Sequence, residues 1–247
     1  MKKYKEIFSV IMPAYNAEKT IKKSVQSILN QTYSDFFLYI IDDNSTDSTP
    51  QIINKFDDPR VILLKNSNGK GVASARNLGI NSCQGTYIAF CDSDDLWMPN
   101  KLERQLFFLN KSYDVVCSNY EVFNNNGFVV NARVSPEIIN YEKMLGSNYI
   151  GNLTGVYNSS KIGKVYQKEI GHEDYIMWLT ILKKTEHCYC IQENLAQYRI
   201  SPNSLSSSKF KAVMWQWYIY RKELKIKFWK SVVLLLSYMK NALIKRI

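Results

Sequence analysis

The chain has 247 residues, 46% of them apolar and 22% charged, with 10 Gly and 6 Pro. This excludes a disordered, collagenous or linker-like chain and allows one large domain or two small ones, burying about 70% of the unfolded surface. The net charge of +10 is unevenly placed: residues 209–247 hold ten Lys/Arg against Glu223 alone, leaving residues 1–208 with 22 basic and 21 acidic side chains. The five cysteines (Cys83, Cys91, Cys117, Cys188, Cys190) are too few, and odd in number, for a disulfide scaffold, and Cys188-Tyr189-Cys190 lacks zinc-knuckle spacing, so buried reduced thiols are expected. Glu6 and Pro13 interrupt any leader-like pattern, and the uncharged run between Lys230 and Lys240 is well short of the roughly 20 residues of a membrane span, so a cytosolic location is expected.

In chain order, residues 7–12 read as a buried strand, and Asn16 is a candidate cap for a helix with Ile21, Val25, Ile28 and Leu29 on one face. Residues 36–41 form a second strand, apolar on both faces. Ile52, Ile53 and Phe56 mark a short helix, and residues 61–64 a third strand. A polar loop, Asn66 to Gly71, leads to a helix over 72–83; residues 87–91 form a fourth strand, and a helix over 99–110 starts at Pro99. Further on, short strands are expected near 113–117 and 128–133, loop then strand over Gly151 to Tyr157, and a helix over 173–183 with Tyr175, Trp178, Leu179 and Leu182 on one face. Alternating strands and helices predict an α/β fold with a mostly parallel sheet, whose ligands sit beyond the carboxyl ends of the strands.

Two strands end in acids there: Asp42-Asp43 and Asp92-Ser93-Asp94-Asp95. Acids are common in turns for solvation reasons alone, but two clusters at one sheet edge would repel, and a divalent cation removes that cost. His172 and His187 are the chain's only histidines, and no HExxH, Walker A or full dinucleotide fingerprint occurs (Ser74 stands where a third glycine is needed). Oxygen ligands therefore remain. Asp92 and Asp94, two apart at a strand end, suit Mg²⁺ or Mn²⁺ completed by phosphate oxygens, and so chemistry on a nucleoside diphosphate.

The segments Ser9-Val10-Ile11-Met12-Pro13-Ala14-Tyr15-Asn16, Ile41-Asp42-Asp43-Asn44-Ser45-Thr46-Asp47, Ala75-Arg76-Asn77-Leu78-Gly79, Asp92-Ser93-Asp94-Asp95 and Glu173-Asp174, with Tyr198-Arg199 and Asn203-Ser204-Leu205-Ser206 later, closely resemble family 2 glycosyltransferases of the GT-A fold over about residues 5–208. The resemblance implies a Rossmann-like, mostly parallel sheet flanked by helices. It implies a donor-binding set of Pro13, Tyr15, Asp43, Arg76, Asp92 and Ser93: Tyr15 and Asp43 on the base, Asp43 accepting from uracil N3–H, Arg76 on the nucleotide or diphosphate, and Asp92 on the ribose or groups behind it. Asp94 would ligate the metal, and Asp174, with Glu173 beside it, would be the general base of an inverting displacement. Many relatives carry a histidine two residues after the arginine of the Tyr-Arg segment; here that position is Ser201. Arg199 would serve the diphosphate or make a structural hydrogen bond. Taken without the resemblance, Glu173 and Asp174 could be helix-terminal acids favoured by the macrodipole, and Arg76 a solvated helix charge.

The last 39 residues join nine net positive charges to Phe210, Trp215, Trp217, Tyr218, Tyr220, Phe228, Trp229 and Tyr238. Such a segment suits an anionic membrane, packing on the core or a second copy, or nucleic acid; the run Val232 to Leu236 favours the membrane. The expected organisation is residues 1–208 as the glycosyltransferase domain (about 1–110 the nucleotide-binding half, 111–208 the acceptor-side half) and 209–247 as a membrane-associating helical tail whose removal would cost liposome binding more than activity. The function that the resemblance implies is metal-dependent transfer of a hexose, glucose or galactose, from a UDP-sugar to a sugar on undecaprenyl diphosphate. The setting would be O-antigen or capsule assembly on the cytoplasmic face of the inner membrane, without nucleic acid. A nucleotidyltransferase making the sugar nucleotide, or a non-catalytic nucleotide-sugar-binding module, is the alternative.

Overall fold

The computed structural model describes residues 7–67, 69–200 and 209–244. The first half runs β1 (Phe8–Ala14), α1 (Ile21–Leu29), β2 (Phe36–Asp42), α2 (Thr49–Ile53), β3 (Val61–Lys65), α3 (Val72–Ser82), β4 (Tyr87–Phe90), β5 (Leu96–Trp97) and α4 (Lys101–Leu109). The second runs β6 (Val115–Phe123), β7 (Val129–Arg133), β8 (Ile138–Ile139), α5 (Tyr141–Gly146), β9 (Val156–Asn158), α6 (Ser159–Ile162), α7 (Glu173–Leu182) and β10 (Cys188–Arg199). After the undescribed stretch come α8 (Lys209–Tyr218), a π-helical turn (Ile219–Glu223) and α9 (Phe228–Ile244).

The strands form one sheet in the order β3-β2-β1-β4-β9-β6-β10-β5, with β7 on β6 and β8 on β10. β1 to β4 are parallel, β9 runs against both β4 and β6, and β10 is parallel to β6. Six strands therefore end at the same edge. The winding reverses between β1, which leads to β2 on one side, and β4 on the other, and this switch point is where an open α/β sheet leaves a crevice.

Local chemistry explains the elements. Alternate residues of the central strands feed two cores: Ile11, Ile41 and Phe90 face α3 and α7, while Val10, Met12, Leu38 and Ile40 face α1. Pro13 is tolerated in a central strand because its ring nitrogen faces β4, which has already ended: the last bond on that side runs from Cys91 N–H to the Ile11 carbonyl. Gly79 lets α3 lie directly on the sheet, since a Cβ there would come within 2.6 Å of Ile11 and 2.8 Å of Ile41. All five cysteines are free and buried.

Several elements differ from the sequence expectation. Asn16 does not cap α1: it adopts φ 47, its side-chain oxygen accepts from Thr46 N–H at 2.8 Å, and the helix starts after Thr20. α4 starts at Lys101, two residues past Pro99. β6 runs on to Phe123 because it pairs with β10 and β7. β10 escapes the period-two signal because its register slips twice, between Ile191 and Asn194 and again between Asn194 and Gln197. The basic tail packs on the molecule rather than standing apart from it: Ile219 and Tyr220 are fully buried, Tyr220 donates to the Leu145 carbonyl, and Asn241 donates to the Gly146 carbonyl at 3.0 Å. Removing the tail would therefore take these buried contacts away from the rest of the molecule.

Candidate active site

The strand ends assemble the site in layers. At the end of β2, Asp43 is 6% exposed; Oδ1 accepts from Asn66 Nδ2 and Oδ2 from the Gly71 N–H, each at 2.7 Å. Asp43 thus ties the end of β2 to the residue after β3 and to the start of α3. Asp42 turns the loop by accepting from the Ser45 N–H at 3.2 Å.

Five residues into α3, Arg76 reaches back over the end of β4. It is 5% exposed, donates to Asp92 Oδ1 at 2.6 Å and to Gln167 Oε1 at 3.2 Å, and lies 3.8 Å from Glu173 Oε1. Burial works to lower its pKa, but Asp92, Asp174 and Glu173 outweigh that and raise it. Its Nε is buried without a partner among the described residues. Arg76 is therefore not a solvated helix charge: one cation joins acids from β4 and α7, more than 80 residues apart. Beside it, Asn77 clasps the Gln167 backbone, accepting from its N–H at 2.7 Å and donating to its carbonyl at 2.8 Å.

After β4, burial and then the neighbouring Asp92 charge push Asp94 up to about 6. Asp95 is 1% exposed and pushed upward for the same reasons, while its Oδ1 accepts from the Arg199 N–H at 2.9 Å. Arg199, at the end of β10, donates from Nε to the Asp94 carbonyl at 2.9 Å and stacks over Phe123 at 4.4 Å, so it makes the structural hydrogen bond while facing the cleft. The Ser93 carbonyl is held by Ser24 Oγ at 3.0 Å. Among the described residues no group of three or more His, Cys, Asp or Glu is placed to enclose a metal ion.

A cleft of about 540 Å³ opens over this edge, lined by Tyr15 to Thr20, Asp47, Ser93, Asp94, Asn125 and Arg199. Tyr15 is 53% exposed, while Pro13 lies buried in β1 beneath it. Glu173 and Asp174 occupy the first turn of α7, where the helix dipole favours acids; burial nevertheless raises Glu173. Asp92, Asp94, Glu173, Asp174, Arg76 and Arg199 thus form one electrostatic group, and Asp43 holds the start of the helix that carries Arg76. Ser201 and residues 203–206 lie outside the described residues.

Sequence reading missed Asn66, Asn77 and Gln167. Asn77 stood inside the Ala75 to Gly79 motif, and its clasp gives a reason for an amide beside the arginine. Asn66 and Gln167 sit in loops with no periodic signal.

A mostly parallel sheet with acids at its switch point, joined through Arg76 to a second acid pair, is an arrangement suited to a ligand held beyond the strand ends. The model of glycosyl transferase family 2 matches residues 9–164, and the chain belongs to that family of glycosyltransferase enzymes. It is 41% identical over 216 residues to UDP-Glc:alpha-D-GlcNAc-diphosphoundecaprenol beta-1,3-glucosyltransferase WfgD of Escherichia coli, covering 85% of this chain and 84% of that one. It is 36% identical to WfaP of the same organism, which bears the same activity name, covering 97% and 95%. Among solved structures, S. aureus TarS 1–349 in complex with UDP-GlcNAc shares the fold, with a TM-score of 0.73 at 19% identity over 94% of this chain and 71% of that one.

Proposed function

We propose that this chain is an inverting, metal-dependent hexosyltransferase that moves glucose from UDP-glucose to an N-acetylhexosamine on undecaprenyl diphosphate during assembly of a bacterial surface polysaccharide. UDP-galactose is the second donor to test. The observation that carries the reading is the Arg76 bridge, which joins Asp92, two residues before the cleft-lining Asp94, to Glu173 at the start of α7. The two glucosyltransferase relatives support the choice of donor and of lipid-linked acceptor.

In this reading Tyr15 packs on the uracil, and Asp43 accepts from N3–H with a lone pair left over from Asn66 and Gly71. Pro13 and Ser93 shape the floor, and Arg199 lends charge to the diphosphate side. The acids fit a hard dication: burial beside Asp92 lifts Asp94 to about 6, a cost that bound positive charge removes, and a site with few protein ligands is one that waters and phosphates complete. Asp94, with Asp92 behind it, would hold Mg²⁺ or Mn²⁺, which supplies Lewis-acid neutralisation of the leaving diphosphate. Asp174 takes the proton of the acceptor hydroxyl as its oxygen bonds to the anomeric carbon and the bond to the diphosphate oxygen breaks. Glu173 stays against Arg76 and keeps α7 in place.

The tail supports a peripheral membrane location. On α9, Trp229, Val233, Leu236 and Met239 are 78%, 66%, 62% and 43% exposed along the outer side, among exposed Lys225, Lys227, Lys230 and Lys240, while Ser231 and Asn241 face inward. An apolar outer face ringed by cations suits the interface of an anionic bilayer. No helix among the described residues is long and apolar enough to cross a membrane.

The test is Asp174→Asn: UDP affinity within about twofold of wild type and turnover reduced at least about 100-fold, as expected for loss of a general base. Lost UDP affinity, or retained turnover, would contradict the assignment.

A further inference from the structure

The start of α7 lacks a side-chain cap. Its N-cap, His172, has a left-handed backbone (φ 62) and makes no side-chain cap hydrogen bond, a conformation that a non-glycine residue holds only when its surroundings impose it. The surroundings here are α8. The Trp215 indole lies against Gly171 so closely that a Cβ on that glycine would fall 2.3 Å from Cδ2 and 2.4 Å from Cε2. The same indole meets the His172 ring edge-on, with centroids 5.3 Å apart and planes at 88°. The Ala212 backbone, one turn earlier on α8, hydrogen-bonds to His172, whose Nε2 is buried with no partner among the described residues. On the far side of the acid pair, Gln216 Nε2 donates to Tyr175 Oη at 3.2 Å, and Tyr175 in turn donates to the Met144 carbonyl at 2.8 Å. α8 therefore grips residues 171, 172 and 175, on both flanks of Glu173 and Asp174, and the His172 ring it holds feels the Asp174 charge.

We infer that Trp215, from the C-terminal helical segment, is a positioning residue for the general base: by filling the space over Gly171 and holding the His172 ring, it sets where the first turn of α7 presents Asp174. The inference rests on the assignment of Asp174 as base. It gives the tail a second role. The chain runs from α8 through the buried Ile219–Tyr220 turn into α9, so the segment that offers a face to the membrane also braces the catalytic turn. Small displacements of a reacting group are costly in rate, on the order of 10²-fold for about 1 Å, whereas the contacts of Trp215 are made with Gly171 and His172, beside the base, so UDP affinity should be spared.

The experiment compares Trp215→Ala, Trp215→Phe and Gly171→Ala with wild type and Asp174→Asn in the full-length protein, at a temperature where each is folded by circular dichroism. UDP affinity and the kcat and KM for UDP-glucose are measured together. Trp215→Ala should lower kcat about 10–100-fold with donor KM and UDP affinity within about twofold, Trp215→Phe should recover most of kcat, and Gly171→Ala should reproduce the kcat loss with the tryptophan intact. Full kcat in a folded Trp215→Ala protein, alongside an inactive Asp174→Asn protein, overturns the positioning role alone. Full kcat in Asp174→Asn overturns the base assignment on which it rests. Should Trp215→Ala not fold, Gly171→Ala decides: unchanged kcat there overturns the inference.

Discussion

Replacing Arg76 by alanine tests the organisation of the site at its centre. The guanidinium is 5% exposed and holds Asp92 at 2.6 Å and Glu173 at 3.8 Å. Without it, Asp92, Glu173 and Asp174 lose the cation they share, and Arg199 remains on the Asp94 side. Breaking a buried pair from one side costs about 3–5 kcal/mol; because the Asp92 side chain is 32% exposed, water recovers part of that, and about 3 kcal/mol is the fitting value. At about 2–4 °C per kcal/mol for a chain of this size, the melting temperature should fall by about 6–12 °C at pH 7.5. The deficit should shrink on acidification. Glu173 already titrates above its ordinary range and Asp94 near 6, so protons taken up between about pH 7 and pH 5 relieve the repulsion that Arg76 otherwise neutralises. Calorimetry of wild type and Arg76→Ala at pH 7.5 and 5.5, without added metal, reads both effects. A loss below about 2 °C at pH 7.5, or one that grows at pH 5.5, would refute the reasoning.

Asp94 carries a linkage of its own. Its folded pKa lies above the unfolded value near 3.8, so its ionisation costs stability as pH rises through about 4 to 6, and Asp94→Asn should raise the metal-free melting temperature at pH 7.5 but not at pH 4. The same variant should lose the thermal shift that Mn²⁺ with UDP gives the wild type; a full shift would remove Asp94 from the metal site. Trp229→Asp with Leu236→Asp should weaken sedimentation with anionic liposomes at least about tenfold while kcat on a short water-soluble acceptor stays within about twofold, and undiminished sedimentation would refute the α9 surface. Truncation after Ser208 should abolish activity on any acceptor, because Trp215 and the buried Tyr220 leave with the tail; a folded, active fragment would contradict the packing account.

Much of the first half of the chain was legible because its signals are local. β1, β2 and β4 are short apolar runs, the last two leading into acids, and a strand followed by a helix can be read residue by residue. Arg76 could be named, but its role as a bridge could not, since that depends on Glu173 arriving from nearly a hundred residues away. β10 was invisible because two register slips erase its alternation, and with it went the Arg199–Asp95 latch. The tail was legible in composition and not in placement. Its aromatics divide between an inner set that fastens it, Trp215 and Tyr220, and an outer one, Trp229, and no periodicity separates the two because α8 and α9 are joined through a π-helical turn.

The most direct measurement is proton NMR of the sugar formed when the enzyme, UDP-α-glucose and a divalent metal are given an N-acetylglucosamine-diphosphate-lipid acceptor, with UDP release followed in parallel. The account predicts a β-glucoside formed in step with UDP and absent from the Asp174→Asn reaction. An α-glucoside, or equal product from the asparagine variant, would contradict single displacement by a hydroxyl that gives its proton to the acid pair at the start of α7.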